Sequence, residues 1–244
     1  MFARHNLNKK GYIVMYRAMS EREANSLHEL ARGKNYWINE TWGGAFQDSH
    51  RLRALVPPAE ARDLTVDLER FYRTFFPDAI ATEWRFLKTL PGAQDQLVRR
   101  EFEPQDPEES QSVSSVPASL YLAIEDNTFF YGYGWNHRIA LTSERELIRL
   151  NKGDLILCRG DFMFSRAGNK KNVCVHAYID TPQLAREVCS PPVMVPVMED
   201  THQVDDLFCF VWNCPYRARG ECSLRKHLNN YHGFYFKRTP GAIQ

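Results

Sequence analysis

Four residues near the C-terminus, Cys209, Cys214, His227 and His232, stand in the spacing Cys-x4-Cys-x12-His-x4-His. Two thiolates and two neutral imidazoles complete the tetrahedral shell of a structural zinc ion. The spacing predicts two cysteines on a β-hairpin and two histidines about one turn apart on a helix. Leu224 lies three residues before His227, on the side such a helix turns toward the hairpin, and Leu228 and Phe208 are expected to join it. So short a segment buries too little apolar surface to fold alone. The metal must supply the stability, about 10–16 kcal/mol for zinc-finger peptides at neutral pH. One structural zinc ion is therefore the expected cofactor.

From Phe208 to His232 the segment resembles the C2H2 zinc-finger family, with two departures. Ala218 stands where an aromatic residue is usual, and Gly220 and Cys222 open the helix, Cys222 offering a substitute thiolate. The resemblance implies metal binding and a contact with nucleic acid or protein. Arg217, Arg219, Arg225, Lys226, Lys237 and Arg238 face only Glu221 in this tail, a local patch able to neutralise phosphates. A finger reads bases from helix positions −1, 3 and 6, here Gly220, Ser223 and Lys226. Glycine has nothing to read with, and one finger buries only about 600–1,000 Å² against DNA. Sequence-independent phosphate contact, a protein partner, or a zinc clip packed on the rest of the chain fits these residues better than base reading.

The remainder must house whatever else the chain does. Its 244 residues, 43% apolar, suffice for one sizeable core plus the small metal module. With 31 basic and 30 acidic residues, no global field draws the protein to nucleic acid or to an anionic membrane, so any such attraction is local. No apolar run approaches twenty residues, and charges interrupt 1–10 where a secretory signal would be apolar. The expectation is an intracellular protein without a membrane partner, nuclear by analogy with other finger proteins. Cys158, Cys174 and Cys189 lie among apolar neighbours, as buried reduced thiols do.

Gly11 to Met15 is β-rich, and Ser20 with Glu23 forms a capping box for a helix to about Ala31. A second helix is predicted from Pro57-Pro58 to about Phe76, with Leu64, Leu68, Phe71, Tyr72 and Phe75 at helical spacing. From Ile80 short β-rich runs follow: 84–90, 96–102, 119–124, 129–133, 155–158 and 173–179, with turn residues between several of them. The fold class is mainly β (α+β), a jelly roll with N-terminal helices plus a small ββα module. The expected domains are a roll over 1–186, a proline-bearing linker over 187–206, and the finger with its basic tail over 207–244. The acidic stretch 101–115 reads as a solvated loop.

Between Leu87 and Pro182 the order of landmarks resembles the double-stranded β-helix of iron and 2-oxoglutarate dependent dioxygenases. These landmarks are Leu90-Pro91-Gly92 and Gln96, then Pro117-Ala118-Ser119-Leu120 and 123–128, then Gly153-Asp154-Leu155, Arg159-Gly160-Asp161-Phe162 and 176–180. The resemblance implies a His-x-Asp pair, a distal histidine and an arginine for the co-substrate's far carboxylate. In this chain those positions fall on Arg99, Glu101, Phe164 and Cys174. Arginine has no lone pair for a metal and places a positive charge where the cation would sit; phenylalanine cannot ligate. A buried neutral thiol offers a carboxylate no charge-assisted bond. The reading is a catalytically dead relative, not an enzyme, with neither iron nor 2-oxoglutarate expected.

Three alternatives stay open from sequence. His137, His176, Asp161 or Glu101 would build a rearranged iron site in an active oxygenase. Both domains would only make contacts in a subunit of a larger assembly, of unknown oligomeric state. Finally, the aromatic run 129–135 would supply either strand packing or a surface for bases or a partner.

Overall fold

The computed structural model describes residues 7–42, 46–102, 117–135, 137–168, 171–182, 192–199, 207–211, 214–218 and 221–234. Residues 103–116, Asn136, Asn169, Cys189, Arg219, Gly220, Lys237 and Arg238 lie outside these, as does the side chain of Cys222.

In chain order the elements are β1 (Tyr12–Met15), α1 (Glu21–Arg32), β2 (Ile38–Trp42), β3 (Phe46–Leu55), α2 (Pro58–Phe75) and β4 (Ile80–Thr89). Then come β5 (Arg99–Arg100), β6 (Ala118–Ala123), β7 (Thr128–Gly132), β8 (Ala140–Leu141), β9 (Glu146–Leu150), β10 (Leu155–Arg159), β11 (Phe164–Arg166) and β12 (Asn172–Asp180). The tail carries β13 (Val193–Met194), β14 (Val197–Met198), β15 (Leu207–Phe208), β16 (Arg217–Ala218) and α3 (Glu221–His232).

Both early helices form where their caps require. The Ser20 hydroxyl accepts from the Glu23 N–H while the Glu23 carboxylate accepts from the Ser20 N–H, which starts α1. Pro58 opens α2, where its missing N–H costs nothing. Their buried faces, Ala24, Leu27 and Ala31 on α1 and Leu64, Leu68 and Tyr72 on α2, join the core formed by one face of a seven-stranded sheet.

That sheet runs β1-β10-β6-β12-β4-β3-β2, and a second sheet runs β13-β5-β11-β7-β9. Period-two alternation gives β6, β10 and β12 two buried faces. One set, including Leu120, Leu157 and Val175, belongs to the helix-side core. The other, including Tyr121, Ile156 and Cys174, packs with Phe130, Phe162 and Phe164 of the second sheet and its approach. Two sheets facing across a common interior make the expected jelly roll.

Several expectations need correction. The hairpin β2–β3 was not foreseen, nor were β9 and β11, and the strand expected over 96–102 is only Arg99–Arg100. The segment 192–199, expected as linker, is bound to the roll: Val193 and Met194 pair with Arg100 and Arg99, Val197 and Met198 with Ala140 and Leu141, and Val195 is buried. Its valines can add short strands to exposed edges, and Pro196 between them costs one N–H.

Candidate functional site

The tail begins with the shortest of ladders, Leu207 opposite Ala218 and Phe208 opposite Arg217, so the hairpin presents Cys209 and Cys214 on its connecting loop. Helix α3 follows and carries both histidines. One ligand atom from each of Cys209, Cys214, His227 and His232 lies within 4.8 Å of the other three. His227 Nε2 is 3.0 Å from His232 Nε2 and 3.1 Å from Cys214 Sγ. Zinc bonds of about 2.05 Å to nitrogen and 2.3 Å to sulfur in a tetrahedron require about 3.3 Å between nitrogens and 3.6 Å between sulfur and nitrogen. The donors are thus close to a zinc shell and fit that ion. Among the described residues this is the one grouping of three or more His, Cys, Asp or Glu able to hold a metal.

Packing around the ligands differs in detail from expectation. Ala218 and Leu228 are buried and Leu224 is half-buried, but Phe208 is 40% exposed, because its strand turns it outward under the Arg217 guanidinium, 4.6 Å from the ring centroid. The aromatic missing at Ala218 is supplied two residues earlier: Tyr216 stacks on His227 at 3.8 Å, fixing the imidazole plane. Phe210 meets Phe234 at 5.8 Å and His137 of the roll at 5.1 Å. Arg225 and Lys226 are exposed on α3, and Arg217 is exposed on β16.

Inside the roll, the register β11–β5 sets Phe164 opposite Arg99. The Arg99 guanidinium lies 5.2 Å from the Phe164 ring centroid, and its Nε is 3.5 Å from Glu101 Oε1, with both side chains buried. Burial alone would push the Arg99 pKa down; the neighbouring Tyr121, Glu101 and Glu40 outweigh it and raise it. A permanent cation therefore stands between Glu101 and the aromatic wall. Cys174, on the facing strand β12, is fully enclosed, and burial pushes its thiol up to about 11, so it is neutral. The four positions expected from the resemblance are thus all interior, and only Glu101 bears a donor that suits iron.

Sequence reasoning missed a buried network beside Cys174. Arg166 donates from Nη2 to Glu40 Oε1 at 2.5 Å and from Nε to Gln96 Oε1 at 3.2 Å, and Gln96 donates to Glu40 Oε2 at 3.0 Å. Glu40 is 126 residues from Arg166, so no local pattern announces the pair. Arg166 and Cys174 also line a cavity of about 20 Å³, room for a water.

The residues of the alternative metal site are not brought together. Asp161 is held by Arg159 through two bonds of 2.8 and 2.9 Å, His176 lies between Tyr121 and Tyr178 at 4.6 and 4.5 Å, and His137 faces Phe210. The aromatic run is divided. Phe130 and Tyr133 are core, while Tyr131 and Trp135 are capped by Arg145 at 3.6 Å and Arg159 at 3.8 Å. Gly132 in its midst is needed for space, because a Cβ there would meet the Phe162 ring at 2.7 Å.

No family model matches this sequence, and no curated protein does. Solved structures match the fold. HygX from Streptomyces hygroscopicus, with nickel and 2-oxoglutarate bound, aligns at TM-score 0.57 and 12% identity over 80% of this chain and 96% of its own. The epimerase SnoN, in complex with Fe3+, alpha ketoglutarate and nogalamycin RO, aligns at 0.56 and 9% over 80% and 94%. A Trichoplax adhaerens prolyl hydroxylase, in complex with a hypoxia inducible factor peptide fragment, aligns at 0.53 and 7% over 72% and 86%. The roll is a double-stranded β-helix. It lacks the His-x-Asp and distal histidine set and carries a Cys2His2-type cluster near the C-terminus. This argues against classical dioxygenase catalysis. No helix among the described residues is long and apolar enough to cross a membrane.

Proposed function

We propose that this chain is a non-catalytic zinc protein, in which a degenerate oxygenase-type roll supports a finger that binds nucleic acid or a protein partner. One observation carries the reading: the roll sets a buried arginine beside Glu101, where a cation would need a vacant coordination site, while the donors that suit zinc gather in the tail. The exposed Arg217, Arg225 and Lys226 are the contacts assigned to the finger, together with Arg219, Lys237 and Arg238 by sequence. A nuclear location follows only from analogy with other finger proteins.

Metal analysis of the purified full chain tests this. One zinc per chain and no iron is the expected result, with zinc lost in Cys214→Ser. Iron-supported turnover of 2-oxoglutarate, abolished by Glu101→Ala, would overturn it in favour of an oxygenase. Titrating salt against a random duplex separates the two kinds of partner, since phosphate contacts lose affinity steeply with salt and protein contacts need not.

A further inference from the structure

The seven-stranded sheet has two more strands than the five-stranded one, and it ends in β4, β3 and β2. Cross-strand partners share a face. Arg53 is opposite Leu87, a residue of the inter-sheet core, and also opposite Ile38, while Leu55 is opposite Arg85. Arg51, Arg53 and Leu55 alternate onto this same side of β3. The two arginines fare differently. Arg51 donates from Nη1 to Asp48 and from Nη2 to the carbonyls of Gln94, Arg166 and Ala167, and only its Nε lacks an acceptor. Arg53, two residues further along β3, also has a buried Nε without an acceptor and has no hydrogen-bond or ion-pair partner at all among the described residues.

Around Arg53 is a pocket of about 480 Å³, within the range of small-molecule sites. Its walls are Tyr36, Ile38 and Leu55, its cations Lys34, Arg53 and Arg85. Tyr36 and Leu55 are 76% and 67% exposed, apolar surface that water covers at a cost. Arg85 is paired with Glu83 at 2.7 Å, whereas no described carboxylate pairs with Lys34 or Arg53, so the pocket carries surplus positive charge.

We propose that this pocket at the β4-β3-β2 end of the sheet is a binding site for a small amphipathic anion, a carboxylate or phosphate monoester on an aromatic or aliphatic body. The anionic group sits on Arg53 and Lys34; the body covers Tyr36, Ile38 and Leu55. An acceptor on Arg53 removes the cost of a guanidinium with an unmet donor, and an apolar body removes exposed area. The site is separate from the zinc cluster and does not depend on that reading.

The probe is anilinonaphthalene sulfonate, an anion on an aromatic body, titrated by fluorescence into zinc-loaded full chain with a cooperative melt. Saturable binding of one dye is expected, with Arg53→Gln weakening it about tenfold, the value of one charge-assisted hydrogen bond. Lys34→Gln, on a half-exposed side chain that cannot threaten the fold, should weaken it in the same direction. The neutral analogue phenylnaphthylamine should bind more weakly than the sulfonate. Displacement by octanoate identifies a carboxylate ligand and displacement by phenyl phosphate a phosphate ester. Binding indifferent to both substitutions overturns the proposal, as does displacement by a short single-stranded oligonucleotide but by neither small anion, which would make the surface one for nucleic acid.

Discussion

Stripping zinc should melt the tail and leave the roll standing. In the described tail only Leu228 and Ala218 are fully enclosed apolar side chains, worth about 3 kcal/mol together. Holding the twelve residues of α3 in one backbone conformation costs about 12–24 kcal/mol. The gap is of the order of the 10–16 kcal/mol that zinc supplies to finger peptides. The roll has its own helix-side and inter-sheet cores and needs no such help. Circular dichroism at increasing chelator reads the outcome directly. Besides the helical residues 7–10, the described helices run 12, 18 and 12 residues, so loss of α3 alone removes roughly a quarter of the helical signal. Thermal unfolding of what remains should stay cooperative, and brief trypsin treatment should cut the tail at Arg217, Arg225 or Lys226 only in the chelated form. A helical signal and a protease pattern unchanged by complete metal removal would refute the reasoning, since the tail would then be held by contacts not counted above.

Three further outcomes follow. Glu101→Ala should lower stability by about 3 kcal/mol in urea, because it removes a buried carboxylate beside the Arg99 cation and leaves that cation to Tyr121 and Glu40, whereas Glu29→Ala, which breaks a pair with both side chains 66% exposed, should cost below about 1 kcal/mol. Stability should fall as pH rises from about 9 toward 11: the Cys174 thiol keeps its proton when folded and loses it when unfolded, so the unfolded state binds fewer protons and is favoured by up to about 3 kcal/mol; Cys174→Ala should make the fall of the urea midpoint across that range shallower, the remainder belonging to Cys158, whose thiol burial also raises. If the finger contacts duplex phosphates, replacing Arg217, Arg225 and Lys226 by alanine should reduce the slope of log affinity against log salt by about three units, and an unchanged slope assigns those residues elsewhere.

The parts of the fold legible in sequence were those with local causes. The Ser20–Glu23 capping box and Pro58 mark helix starts whatever the tertiary setting, and β6, β10 and β12 are apolar enough to be read as strands wherever they lie. The metal cluster was legible because ligand spacing is a covalent property of the chain. The hairpin β2–β3 was not, because its buried positions include Glu40 and Arg51 while Leu55 is exposed, so the short alternation over 51–54 does not mark an apolar buried face. Strands of two or three residues, such as β5, β11 and β13, exist only because an edge is already there to receive them. For the same reason the partners of Arg166 lie 70 and 126 residues away, at distances no local pattern spans.

The Arg166–Glu40–Gln96 network has a consequence for engineering this scaffold. Placing imidazoles at positions 99 and 164 would not by itself create a reaction centre, because Glu40 from a separate hairpin holds the Arg166 guanidinium at that end of the roll. Replacing Arg99 removes the cation beside Glu101, and replacing Glu40 removes the carboxylate that Arg166 holds, so each single change costs stability until its counterpart has also changed. The interior of the roll is in this sense locked by two internal charge pairs and not only by its want of metal ligands.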